Sequence, residues 1–199
     1  MSFARPARPP ARVRDREASG GTLGVRALDE HDVKTAGQRQ TKAGGTDDGR
    51  AELYNGWMSR SNPTDAELKQ LLTDATTIAV VGASSNPERS SHGVMRRLKQ
   101  LGYRVVPVNP REREVLGERA YAALTDVPVP IDIVDVFRRA EATPPIADAA
   151  VTVGAKALWL QSGIVNEDAA ARAAAGGLMV VMDACIGTMH AVLRVPPKH

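Results

Sequence analysis

Ile78-Ala79-Val80-Val81-Gly82-Ala83-Ser84-Ser85-Asn86-Pro87-Glu88-Arg89-Ser90-Ser91 is the stretch on which the reading of this chain turns. Ile78 to Val81 are apolar and mostly β-branched, the pattern of a buried parallel strand. Gly82 stops the strand, a small polar loop follows, and a helical pattern begins near Ser90 or Ser91. Strand, glycine turn and helix start together aim backbone N–H groups and the positive end of a helix dipole at one spot, which is how α/β proteins hold the phosphates of a nucleotide.

Working outward, the pattern alternates. Upstream, Asn62 or Thr64 can cap a helix that has Glu67 three residues after Thr64 and carries Leu68, Leu71 and Leu72 on one face. Downstream, a helix over 90–101 is expected to face the sheet with Val94, Leu98 and Leu101 and to end at Gly102. A second strand, Tyr103–Val108, runs into Asn109-Pro110; residues 111–124 are charged and turn-like, with a short helix around Tyr121 to Leu124. A third strand spans Ile131–Phe137. Thr143 then caps a helix opening with Pro144-Pro145. Ala155–Leu160 is a fourth strand, Asn166 caps an Ala-rich helix ending at Gly176-Gly177, Leu178–Met182 is a fifth strand, and a last helix starts near Asp183 to Cys185. Five alternations imply a Rossmann-like three-layer αβα sandwich with a five-stranded parallel sheet. A ligand then sits at the carboxyl ends of the strands, beside the first one.

Residues 1–60 read differently. They lack sustained periodicity, are rich in Arg, Pro and Gly, and hold 11 Lys/Arg against 8 Asp/Glu, whereas residues 61–199 hold 15 of each. The sequence therefore divides into a disordered basic N-terminal extension, 1–60, and an ordered domain, 61–199. The extension reads either as a basic arm for nucleic acid or an acidic surface, or as an inert tail or a wrongly included upstream start, with Met58, just before the ordered pattern, a sensible natural start. The domain itself carries no net charge and gives no reason to expect nucleic-acid binding. The single cysteine, Cys185, rules out an internal disulfide and suits a reducing, cytoplasmic setting. No run approaches the ~20 apolar residues that cross a bilayer.

The loop chemistry narrows the ligand. A dinucleotide turn of the type Gly-x-Gly-x-x-Gly has only its first glycine here, Gly82, and the second strand ends in Asn109-Pro110 rather than in a carboxylate that could take two ribose hydroxyls. No Gly-Lys-Ser/Thr phosphate loop is present. Catalytic residues are not apparent: Cys185 and His190 are five positions apart and need not share a helix face. The four histidines, His31, His92, His190 and His199, have no metal-ligand spacing with Cys or carboxylates.

Six separated segments together resemble the small stand-alone bacterial CoA-binding domain proteins, over residues 64–193. They are the opening stretch; Gly102-Tyr-Arg-Val-Val-Pro-Val-Asn-Pro110; Val115-Leu-Gly-Glu118; Ile131-Asp-Ile-Val-Asp-Val-Phe-Arg-Arg139; Gly154-Ala-Lys-Ala-Leu-Trp-Leu-Gln-Ser-Gly-Ile164; and Val180-Val-Met-Asp-Ala-Cys-Ile186. In the last segment Ala184 stands where the family pattern has a basic residue. The resemblance implies a fold similar to the CoA-binding domain of the succinyl-CoA synthetase α chain, and coenzyme A or an acyl-CoA as the ligand. It implies a site built on Gly82, Ala83, Ser84, Ser85, Asn86, Arg89 and Ser90, with Gly82 allowing close backbone approach and the serines and Arg89 meeting phosphate. It further implies that Asn109 and Pro110 border the adenosine, that Phe137 and Arg138 flank the ligand, and that Gln161, Ser162 and Gly163 line the pantetheine path. Two kinds of function follow: a non-catalytic binding module acting as sensor or carrier, or an enzyme, either an NAD(P)-dependent oxidoreductase or a partial acyl-CoA ligase acting with a partner. Whether the chain forms a homo-oligomer stays open.

Overall fold

A computed structural model describes residues 62–198. The expected disorder of residues 1–60 lies outside the described residues. Helix α1 spans Asp65–Asp74 and leads into strand β1, Thr77–Val81. Helix α2, Ser90–Gln100, feeds β2, Arg104–Val108. A small antiparallel hairpin follows, β3 at Glu114–Val115 and β4 at Glu118–Arg119. Strand β5 is Ile133–Val136, α3 is Pro144–Thr152, β6 is Ala157–Leu160, α4 is Glu167–Ala175, β7 is Met179–Val181 and α5 is Ile186–Val192. The five long-range strands form one parallel sheet in the order β2-β1-β5-β6-β7. The α/β alternation and the five-stranded parallel sheet are as the sequence implied.

Strand alternation sorts the core into two layers. Ile78, Val80, Ile133, Trp159 and Val181 face α1, α2 and α5, meeting Leu72, Met95, Leu98 and Ile186. Ala79, Val81, Val134, Val136, Leu158 and Leu160 face α3 and α4, meeting Ala147, Ala150, Ala169 and Ala173. Alanine on those two helices permits close approach to the sheet. Trp159 is fully buried, and its Nε1–H donates to the Ala184 carbonyl at 2.7 Å.

The caps differ in how the sequence expressed them. Thr64 and Glu67 form the reciprocal capping box of α1, and Asn166 caps α4 by accepting from Ala169 N–H. Thr143 sits at the cap position of α3 without a capping bond; its hydroxyl donates instead to the Ala140 carbonyl at 2.7 Å, closing a single 3₁₀ turn. Asn62 caps no helix. Its amide bonds both backbone groups of Met182, at 2.8 Å each, beside the end of β7. Helix α2 buries Met95 with Leu98, while Val94 is only partly buried and faces the cleft described below.

The segment after β2 departs most from expectation. In place of a helix near Tyr121, Tyr121 extends the parallel pairing beside Val108, and a 3₁₀ turn occupies Leu124–Asp126. The hairpin turn places Leu116 at φ 53° and Gly117 at φ 78°. Val115 is buried in the core, and Lys99 at the end of α2 holds the turn, donating to the Leu116 carbonyl at 2.7 Å and pairing with Glu118 at 2.7 Å.

Candidate functional site

At the carboxyl ends of β1, β2, β5 and β6 the connecting loops part to leave an open cleft of about 750 Å³, within the range of small-molecule sites. Gly82, Ser84, Arg89 and Ser90 form one wall, Asn109 another, Phe137 and Arg138 a third, and Gln161 the fourth. The expected residues from four separate loops therefore meet at one place. Arg111, Glu112, Arg139, Val94, Ile164 and Cys185 also line it. Among the lining residues four are arginines, Arg89, Arg111, Arg138 and Arg139, against one carboxylate, Glu112, so the cleft is cationic.

Some expected residues act elsewhere. Ala83 is fully buried, and its carbonyl accepts from Asn109 Nδ2 at 2.7 Å. Asn86 shapes the turn, its Oδ1 accepting from Glu88 N–H at 2.9 Å. Ser85 is exposed beside the cleft and donates its N–H to Glu112. Gly163 donates its N–H to Asp183 Oδ1 at 2.6 Å and does not line the cleft. Pro110 lies in a second, largely apolar hollow of about 280 Å³, with Leu124, Pro145 and Ile146. That hollow is on the α3 side of the sheet and meets the cleft at Gly82, Asn109 and Arg138.

Gly82 is fixed by backbone geometry. Its φ is +87°, and a Cβ there would lie 2.8 Å from the Phe137 carbonyl oxygen and 2.9 Å from Arg138 Cδ. The first thing a side chain at 82 would strike is thus the end of β5. Absence of a side chain lets β1 turn tightly between its neighbours, with Gly82 N–H bonded to Val108 and Phe137 N–H bonded to Val81. Asn109 joins the turns after β1 and β2: it donates to Ala83 and accepts from Arg111 N–H at 3.0 Å. Its amide is thereby committed at both ends within the protein.

Phe137 is half-buried, packing on the core while presenting part of its ring to the cleft. Gln161 reaches from the cleft wall to the buried Asp135, donating from Nε2 to Oδ1 at 2.6 Å. Burial pushes the Asp135 carboxyl up to about 7, against the smaller opposing effect of the Gln161 bond. Asp132, three residues earlier, goes the other way. Partial burial opposes its charge, but bonds from Lys156, Thr77 and Thr76 outweigh it and hold the carboxyl well below the usual carboxylate range.

Cys185 lines the cleft just ahead of α5. His190 is buried, packs edge-on against the Tyr103 ring, and is held below the usual histidine range by burial and then by Arg97 and Lys198. It is not among the cleft residues, so the cleft does not bring these two side chains together. Among the described residues no group of three His, Cys, Asp or Glu side chains is placed to hold a metal, and no helix is long and apolar enough to cross a membrane.

Sequence reasoning missed Arg111 and Glu112 because they fall in a stretch that reads only as charged loop; their position directly after the β2 end was the available signal.

Comparison with known proteins agrees with this fold. The uncharacterized protein YneT of Bacillus subtilis is 43% identical over 133 residues, covering 67% of this chain and 98% of YneT. The solved structure of a hypothetical protein from Pyrococcus horikoshii superposes with a TM-score of 0.65 at 37% identity, covering 69% of this chain and 99% of that one. The α subunit of an ADP-forming acetate–CoA ligase from Pyrococcus furiosus is 42% identical over 57 residues, which is 28% of this chain and 12% of the subunit. The family model described as the CoA binding domain matches residues 76–191, from the approach to β1 through nearly all of α5, and the chain belongs to that family.

Proposed function

We propose that this protein binds coenzyme A, or an acyl-CoA, in the cleft at the strand ends and holds it without transforming it, as a sensor or carrier. The observation that carries this reading is that four arginines and the Gly82 turn line one open cleft. Diphosphates need dense positive charge and close backbone approach, and the cleft offers both. The residues present fit such a ligand: Arg89, Arg111, Arg138 and Arg139 supply charge, while Val94, Phe137 and Ile164 supply apolar wall for an uncharged arm. Membership of the CoA binding domain family supports the choice of coenzyme A among nucleotides. Commitment of the Asn109 amide to Ala83 and Arg111 argues against ribose recognition of the nicotinamide-cofactor kind. The single cysteine and the ligand class fit a cytoplasmic protein.

Calorimetric titration of the full chain with CoA, acetyl-CoA, NAD and NADP tests the reading. CoA or acetyl-CoA is expected to bind more tightly than either nicotinamide nucleotide. Tighter binding of NAD would overturn it. Mass spectrometry of small molecules released on denaturation would identify the acyl group.

A further inference from the structure

Two donors of the turn after β1 are already engaged. Ser85 N–H donates to Glu112 Oε1 at 3.0 Å, and the Ser84 hydroxyl lies 3.4 Å from the same oxygen. The loop after β2 delivers that carboxylate. Glu112 N–H donates to the Asn109 carbonyl at 3.2 Å, and Asn109 in turn anchors to Ala83. Glu112 and Ser84 both line the cleft, and Glu112 is the one carboxylate among its lining residues. A carboxylate oxygen on an N–H and a hydroxyl plays the part of a phosphate oxygen: a negatively charged acceptor on short polar donors. The bonds from Ser85, and then from Ser84, hold the Glu112 carboxyl below its usual range, so the charge persists at neutral pH. Two anions cannot share these donors without repulsion.

We propose that Glu112 is an internal placeholder, occupying the donors of the turn and leaving them when the phosphates of a ligand arrive. The proposal rests on the reading of the cleft as a site for coenzyme A. It makes the cleft work against its own ligand by a small amount, which lowers affinity and shortens residence. The competing role for Glu112 is that of a brace, holding the turn in a binding-ready shape. The two roles predict opposite signs on substitution.

Glu112→Gln keeps a neutral acceptor for Ser85 N–H, and Glu112→Ala removes it. The side chain is solvent-reached, so both variants are expected to fold. The full-length proteins are titrated calorimetrically with CoA, ADP, inorganic pyrophosphate and adenosine. A placeholder makes both variants bind CoA, ADP and pyrophosphate tighter, by about two- to fivefold at low salt, the scale of an exposed charge pair. The gain shrinks as salt rises, and uncharged adenosine is unaffected. In the wild-type protein, phosphate-bearing ligands shift the Glu112 side-chain carboxyl carbon resonance toward its free-peptide value.

Weaker binding of every phosphate-bearing probe to Glu112→Ala would overturn the placeholder in favour of the brace, and unchanged binding would overturn both roles. If ADP or pyrophosphate binds and CoA does not, the coenzyme A reading fails, and the variants still decide the placeholder with the probes that bind. If no phosphate-bearing probe binds any of the three proteins, both fail.

Discussion

Gln161 on the cleft wall donates to Asp135 Oδ1 at 2.6 Å; among the described residues no other hydrogen bond reaches that carboxyl, and Oδ2 is buried without a partner. A titratable acid therefore lies one hydrogen bond beneath the cleft. Its native carboxyl keeps its proton up to about pH 7, whereas in the unfolded chain the proton leaves near pH 4. Between those values the native state binds more protons, so stability falls as pH rises, by up to about 4 kcal/mol across the window. His190 acts in the opposite sense below pH ~6.5, because its native form resists protonation. The comparison must therefore be differential. Melting temperatures of wild type and Asp135→Asn from pH 4.5 to 8 should diverge in favour of the variant as pH rises. Parallel curves would show that Asp135 is ionised throughout.

Arg89 is exposed at the start of α2 and lines the cleft. Arg89→Ala is expected to weaken CoA binding by about tenfold, the scale of one charge-assisted hydrogen bond. Stability should change by less than about 0.5 kcal/mol, since nothing buried is lost. Equal affinity in calorimetry at low salt would place the phosphates elsewhere in the cleft.

Gly82→Ala should act on the fold before it acts on any ligand. The variant forces a Cβ to 2.8 Å from the Phe137 carbonyl at φ +87°. A loss of at least ~1–2 kcal/mol in urea unfolding is expected from the backbone conformation alone. An unchanged midpoint would mean that the turn relaxes freely.

Asn109→Asp preserves shape but loses the Nδ2 donor and sets a carboxylate against the Ala83 carbonyl. A cost of about 1–3 kcal/mol is expected from the unpaired acceptors. Chemical denaturation at neutral pH measures it. A variant as stable as wild type would show that the two turns do not depend on this bond.

Much of the fold was legible because local and global signals agree. The apolar runs at Ile78–Val81 and Ala157–Leu160 are buried at every position, as strands covered on both faces must be. Thr64 with Glu67, and Asn166, read as caps and act as caps. The hairpin was not legible. Its two-residue strands carry no alternation, and Leu116-Gly117 is an unusual pair for a turn that needs positive φ at both positions. Burial of Val115 and the grip of Lys99 select it, and both are tertiary effects. Asp132 and Asp135 look equivalent in the third strand. Only the sheet tells them apart, leaving one beside Lys156 at the strand's mouth and enclosing the other. The cleft was legible as a set of strand ends, and individual roles were less so, because Asn109 looks like a ligand donor until its internal partners are known.

The pair of hydrogen bonds between the Asn62 amide and Met182 sets the size of the unit that must be kept whole. An amide side chain there imitates a passing peptide and shields the outer end of the last strand, as an additional strand would. Residues 65–74 add Leu68, Leu71 and Leu72 to the core, and the Leu72 carbonyl accepts the buried Tyr103 hydroxyl at 2.7 Å. A fragment trimmed to residues 76–191 would keep every residue of the family match yet expose this flank of the sheet and strand the Tyr103 hydroxyl. For recombinant work, a piece that starts later than residue 62 forfeits this edge.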